Sequence, residues 1–303
     1  MNTKIIYIIT LLILIVSGCT KQNNISGNTA NINDYSIEIK GSDTLLQMVS
    51  NIAEKYSEID NNAKISVTGG GSGTGIAALI NGEIDLADSS REIKEKELRN
   101  ALENNIIPLE FIIAKDMLSI VVNKNNPVSK LTMDEISKIY KGEITNWKEV
   151  GGPDMLITLY GRQSTSGTYI FFMEHVVNDD YSNKMRNMEG NQAILESIRI
   201  DESGIGYVGI GYITINKKIT DEIGIVDVSK NGEYISPLDE TKMSKYPISR
   251  NLYQYITTKP KEGTTLYNFL KFSQSKEGQE LVKNSGYVPI SKDEIEKNNK
   301  LFD

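Results

Sequence analysis

A chain of 303 residues is too long for one small core and suits two lobes of ordinary domain size. A formal net charge of −7 excludes a general nucleic-acid binder, which needs a basic face. A small anionic ligand stays open, because backbone N–H groups and one or two arginines can build an anion site locally.

The first segment decides the compartment. A weakly positive head ending at Lys4 precedes an apolar stretch from Ile5 to Val16, shorter than the roughly 20 residues a spanning helix needs. It runs into Val16-Ser17-Gly18-Cys19, which resembles the lipobox of bacterial lipoproteins. Residues 1–18 are therefore expected to be a signal peptide, and Cys19, the only cysteine, a lipid attachment point, with no intramolecular disulfide. Losing Lys4 with the signal takes the charge from −7 to about −8. Residues 19–35 are polar and Asn-rich and read as a flexible tether. High Asn, Ile and Lys usage together with the lipobox points to a Gram-positive type of cell membrane, on its extracytoplasmic face.

From Tyr35 onward short strands alternate with amphipathic helices. Ser36–Lys40 reads as a strand, and Leu45, Val49, Ile52 and Tyr56 recur at helical spacing. Lys64–Thr68 is a second strand, Ile76–Ile80 a short helix stopped by Asn81-Gly82, and Ile84–Ala87 a third strand. Phe111–Asn123 holds a long apolar run able to pass between lobes. Leu131–Tyr140, Thr168–Val177 and Thr264–Lys283 read as helical, Gly206–Ile215 and Asn251–Thr257 as extended. Strands alternating with helices indicate an α/β architecture.

Three corners rich in small residues fall where a strand hands over to a helix: Gly41-Ser42-Asp43-Thr44, Gly69 to Gly75, and Gly161-Arg162-Gln163-Ser164-Thr165-Ser166-Gly167-Thr168. A helix start offers about four unpaired N–H groups and a positive dipole end. Any one such corner is more often a cap than a site. Three in one chain, one carrying an arginine, describe a site for a tetrahedral oxyanion. Nucleotide motifs fit poorly. Gly70 to Gly75 is followed by Ile76-Ala77 where a P-loop needs Lys then Ser or Thr. The G-x-G-x-x-G at Gly204, Gly206 and Gly209 runs into a strand-like segment instead of a helix start. A phosphate-ester hydrolase needs a nucleophile–base pair or a metal cluster, but the single histidine, His175, lies inside an apolar helix, and no Cys/His metal spacing exists. No enzyme activity, metal or cofactor is expected.

The strings GSDTLLQMV, TGGGSGTGIAALINGEIDLADSSR, GEITNWKEVGG, GRQSTSGTYIFFMEHV, SGIGYVGIGY and YPISRNLY, in that order, resemble the phosphate-binding proteins of phosphate ABC importers. The resemblance implies an α/β, two-lobe periplasmic-binding-protein-like (flytrap) fold with two hinge crossings. Lobe 1 would be residues 36–115 plus 250–303, and lobe 2 residues 116–249. It implies an inorganic phosphate held by Thr44 and the backbone of Leu45, by Ser72, and by Arg162 with Ser166, Gly167 and Thr168. Ser42, Asp43, Gly73, Thr74, Ser90 and Arg91 are further candidates. Where some relatives place an aspartate that accepts the proton of phosphate and so rejects sulfate, this chain has Ser90. Asp43 or Asp88 could supply that acceptor and Arg91 a second positive charge. Alternatively Asp88 caps locally and Arg91 forms a surface ion pair. Another tetrahedral oxyanion, such as sulfate or molybdate, is the competing ligand. The implied partners are the permease and ATPase subunits of an importer, a membrane reached through the lipid anchor and no nucleic acid, with the protein a monomer.

Overall fold

The computed structural model describes residues 36–214, 221–239 and 241–303. The expected signal peptide, Cys19 and the tether lie outside them. Among the described residues no helix is long and apolar enough to cross a membrane.

The first strand, β1 (Ser36–Gly41), alternates outward polar residues with inward Ile37 and Ile39, as a half-buried strand must. Helix α1 (Asp43–Ile59) turns Leu45, Met48, Val49, Ile52 and Tyr56 onto that sheet, the i, i+3, i+4, i+7 stripe of an amphipathic helix. Next come β2 (Lys64–Thr68), α2 (Ser72–Ile80), β3 (Leu86–Ser89) and α3 (Glu95–Glu103). Sequence periodicity gave no warning of α3. Its apolar residues Leu98, Ala101 and Leu102 share helical spacing but are only three in a strongly charged segment, and Ala101 alone is buried.

The apolar run predicted to travel between lobes is one 15-residue strand, β4 (Leu109–Asn123). Then follow β5 (Lys130–Thr132), α4 (Met133–Lys141), β6 (Thr158–Arg162), α5 (Gly167–Phe172), β7 (Arg186–Met188), α6 (Asn191–Ile200), β8 (Gly204–Gly209) and α7 (Ile210–Thr214). A π-helical turn, Met173–Val177, extends α5, so Thr168–Val177 is helical as expected. The chain continues through β9 (Ile223–Ser229), β10 (Tyr234–Ile235) and β11 (Ser249–Ile256) to α8 (Thr265–Ser273), α9 (Lys276–Asn284) and α10 (Lys292–Asn299).

The main strand order is β2-β1-β3-β11-β4-β8-β6-β7. Parallel pairs β1–β2 and β1–β3 stand on one side, and parallel pairs β6–β7 and β6–β8 on the other. Strand β4 belongs to both sides, pairing with β11 along 109–117 and with β8 from Leu118. The chain thus has the two-lobe α/β binding-protein fold.

Two expectations need correction. The extended reading of Gly206–Ile215 fails after Gly209, where α7 begins (Ile215 itself lies outside the described residues). Asp116 Oδ1 accepts the Ile210 N–H at 3.0 Å, and Ile210 and Ile213 are buried, so tertiary contacts override the β-branched preference of Ile-Gly-Tyr-Ile-Thr. Thr264–Lys283 is two helices instead of one. Ser275 starts the second by accepting the Gly278 N–H, breaking the chain after Gln274.

Candidate functional site

All three glycine- and serine-rich corners, with the end of β3, meet at the carboxyl ends of the parallel strands, where open α/β sheets place their ligands. In the first corner the Gly41 φ is +149°, and a Cβ there would lie 2.1 Å from the Asp88 carbonyl oxygen, so only glycine fits. Ser42 caps α1, its Oγ accepting the Thr44 N–H at 3.3 Å, while the Leu45 N–H bonds the Ser42 carbonyl at 3.0 Å. Thr44 Oγ1 is thereby left to face the centre.

The second corner is tied to the first by Gly71 N–H donating to the Gly41 carbonyl at 2.8 Å. Ser72 Oγ accepts the Ser90 N–H at 3.0 Å. A hydroxyl that accepts from a fixed backbone donor keeps its own proton for another acceptor. Thr74 is spent differently, bonding the Gly70 carbonyl at 2.8 Å. Gly73 N–H donates to the Thr165 carbonyl at 3.0 Å and so joins the second corner to the third.

The third corner rests on an aromatic cluster. Tyr207 stacks on Phe172 with ring centroids 4.1 Å apart, and its hydroxyl accepts the Arg162 N–H at 3.1 Å. Burial pushes the Tyr207 phenol up to about 12, so it remains a neutral hydroxyl. Ser166 caps α5, accepting the N–H groups of Thr168 at 3.2 Å and Tyr169 at 3.4 Å. Gly167 is required by close approach, since a Cβ there would stand 2.1 Å from Ser72 Oγ.

At the centre, Thr44 Oγ1 and Thr168 Oγ1 are 2.9 Å apart. Ser90 Oγ lies 3.3 Å from both Thr168 Oγ1 and Ser72 Oγ. All four hydroxyl residues are at most 1% exposed. Arg162, 1% exposed, pairs with Asp43 and donates to the Glu189 carbonyl at 2.9 Å, while its Nε has no protein partner. Asp43 also accepts the Gly70 N–H at 3.0 Å.

The candidate residues thus divide. Ser42, Asp43, Thr44, Leu45, Ser72, Gly73, Ser90, Arg162, Ser166, Gly167 and Thr168 are brought together. Thr74 closes its own turn. Arg91 is buried and directs its fork at Glu97 with bonds of 2.6 and 2.8 Å. Asp88 lies in the sheet, accepting from Gln254 Nε2 at 3.0 Å, and burial pushes its carboxyl up to about 7. Between the two acids, Asp43 is the one paired with the site arginine.

Two residues escaped sequence reasoning: Arg250 on β11 and Asp116 on β4, an ion pair whose arginine reaches Thr168. Their trace was available, Asp116 as an acid inside the apolar run Phe111–Asn123 and Arg250 as the one charge in the string YPISRNLY. His175 is exposed and stacks on Phe171, away from this cluster's hydrogen bonds. Among the described residues no group of three or more His, Cys, Asp or Glu could hold a metal. The hydroxyls are bonded to one another, Ser72 also accepts the Ser90 N–H, and Thr168 accepts from Arg250.

Such a fold and such a site define a two-lobe solute-binding protein, and the family model described as a PBP superfamily domain matches residues 24–277. Within that class, the chain belongs to the family of the phosphate-binding protein PstS. It is 34% identical over 282 residues to PstS of Staphylococcus aureus strain USA300, covering 91% of this chain and 84% of that protein. A Clostridium perfringens protein, assigned as a phosphate ABC transporter substrate-binding protein and solved with bound phosphate, is 28% identical with a TM-score of 0.73. That match covers 84% of this chain and all of the other. An ABC-type phosphate transport receptor from Vibrio cholerae is 27% identical with a TM-score of 0.67, over 84% of this chain and all of the receptor.

Proposed function

We propose that this chain captures inorganic phosphate between its lobes and delivers it to an ABC importer. The observation that carries the reading is the buried cluster of Thr44, Ser72, Ser90 and Thr168 hydroxyls, with the buried Arg162 tied to the same corner through Asp43. An oxyanion entering the cluster replaces hydroxyl–hydroxyl contacts with charge-assisted bonds, which are about twice as strong as neutral ones. Arg162 stays charged, and its Nε, which has no protein partner, is a donor for a phosphate oxygen.

Lobe 1 comprises residues 36–115 and 250–303, and lobe 2 residues 116–249, hinged where β4 and β11 run side by side. Thr44 and Ser72 bind from lobe 1, Arg162 and Thr168 from lobe 2, so the ligand stabilises closure by touching both. Asp43, already paired with Arg162, takes the role of the aspartate that Ser90 lacks. Its carboxylate accepts the proton of phosphate and repels sulfate, which has none to give. The protein binds and releases without chemistry. It works as a monomer, lipid-anchored through Cys19 on the extracytoplasmic face, and docks on permease subunits served by separate ATPases.

Thermal unfolding of phosphate-stripped protein beginning after Cys19, with phosphate, sulfate, arsenate and molybdate added in turn, tests this. Ligand at a hundred times its Kd adds about 2.7 kcal/mol of stability. A clear rise in Tm with phosphate and none with sulfate is expected. An equal rise with sulfate or molybdate, or none with phosphate, contradicts the reading.

A further inference from the structure

Arg250 and Asp116 face each other as register partners on β11 and β4, one position from where β4 leaves β11 for β8. Both side chains are buried, 2% and 0% exposed. Asp116 Oδ2 accepts from Arg250 Nε at 3.0 Å and from Nη2 at 2.8 Å. Its other oxygen holds the Ile210 N–H at the start of α7. Nη2 has a second proton, which it donates to Thr168 Oγ1 at 3.0 Å. The guanidinium also lies over the Phe171 ring, 5.1 Å from its centroid.

A guanidinium nitrogen can only donate, so Thr168 Oγ1 must accept there. The Thr168 proton then points away from Arg250, which leaves it free for Thr44 or Ser90, where the site's other hydroxyls converge. Ser72 is fixed in the same sense by the Ser90 N–H. Asp116 neutralises Arg250, so the orientation is set without an unpaired charge beside the site. Arg250 Nη1 has no protein partner, so of the donors that Asp116 leaves over, the one that finds an acceptor finds it in Thr168.

We infer that Arg250 is a positioning residue for ligand capture: held by Asp116 at the strand crossover, it forces the Thr168 hydroxyl to act as a donor to the bound oxyanion. The inference rests on the reading of Thr168 as a phosphate ligand. It adds a polarity rule: Thr168 and Ser72, each already accepting from a fixed donor, turn their protons to the ligand, while Asp43 is left to accept the proton of phosphate. It also links the crossing strands to ligand strength, since Thr168 is correctly poised only when β11 and α5 are together.

The test is a double-mutant cycle read by calorimetric phosphate titration of stripped protein. The variants are Arg250→Met, Thr168→Val and the pair, with Arg250→Lys alongside as a variant that retains a cation for Asp116. Losing one hydrogen bond to a charged ligand weakens binding by about tenfold. Arg250→Met is expected to weaken phosphate binding about tenfold in the native background and less than twofold in the Thr168→Val background. Arg250→Lys should fall between native and Met. Equal losses in both backgrounds would assign Arg250 a general structural role and overturn the inference. Should Arg250→Met fail to fold, the cycle is run with Arg250→Lys under the same criterion. Failure of the native protein to bind phosphate, or full affinity in Thr168→Val, would instead remove the reading on which the inference rests.

Discussion

Gly167→Ala tests the convergence of the corners most sharply. A Cβ at Gly167 would stand 2.1 Å from Ser72 Oγ, 2.8 Å from Ser72 Cβ and 2.8 Å from Ser90 Oγ, where ordinary contact begins at 3.4 Å. Turning the Ser72 hydroxyl away relieves only the first contact. The Ser72 Cβ is fixed to α2, so the second and third corners must separate by several tenths of an ångström. Overpacking of this kind costs about 1–3 kcal/mol, and here the penalty falls on the arrangement with the corners together. Phosphate affinity should therefore drop by roughly 5- to 150-fold. The ligand-free Tm should barely change, because lobes that part no longer bear the clash. Calorimetric titration beside a ligand-free melt measures both. Binding within twofold of native would show that Gly167 and Ser72 do not close on one ligand, and the reasoning would fail.

Asp43→Asn should lower the phosphate-over-sulfate affinity ratio at least about tenfold, the effect of one charged hydrogen bond, while Asp88→Asn leaves the ratio intact. Competition calorimetry decides, and the reverse pattern would return the acceptor role to Asp88. Asp88 has its own signature in stability. Its folded-state value, about 7, lies above its ordinary 3.8, so the native state holds a proton that the unfolded chain has lost between them. Its contribution is therefore full below about pH 4, falls as pH rises to about 7 and is level above; a shift of this size is worth on the order of a few kcal/mol. Asp88→Asn, which still accepts from Gln254, should flatten that fall in denaturant unfolding across pH 4 to 8. An unchanged slope would contradict it. Tyr207→Phe strips the buried Arg162 N–H of its acceptor and should destabilise the protein by about 1–3 kcal/mol in denaturant melts. A loss below half a kcal/mol would mean the Arg162 corner stands without it.

Much of this was legible in the sequence because the strongest local signals coincide with the site. Gly41, Gly71 and Gly167 mark places where another backbone or side chain comes too close for a Cβ, and each sits beside a helix start that the apolar spacing also reveals. The tertiary part was not legible. Nothing local says that Asp43 reaches Arg162, 119 residues away, or that Asp88 does not. Nothing local pairs Arg250 with Asp116 until β4 and β11 are placed side by side. Residues 210–214 look extended by composition, and the helix is explained by tertiary contacts, the Asp116 carboxylate at its start and the burial of Ile210 and Ile213. Helix α3 went unseen because its apolar face is only Leu98, Ala101 and Leu102 among charged neighbours.

The most direct measurement is calorimetric titration of phosphate into stripped native protein beside Arg162→Ala. Arg162 is buried, carries a donor without a protein partner and is the one arginine in the three corners. Tight binding by the native protein, weakened at least a hundredfold in Arg162→Ala while the variant keeps its ligand-free fold, is the expected result. Equal phosphate affinity in the two proteins would contradict the assignment of the site.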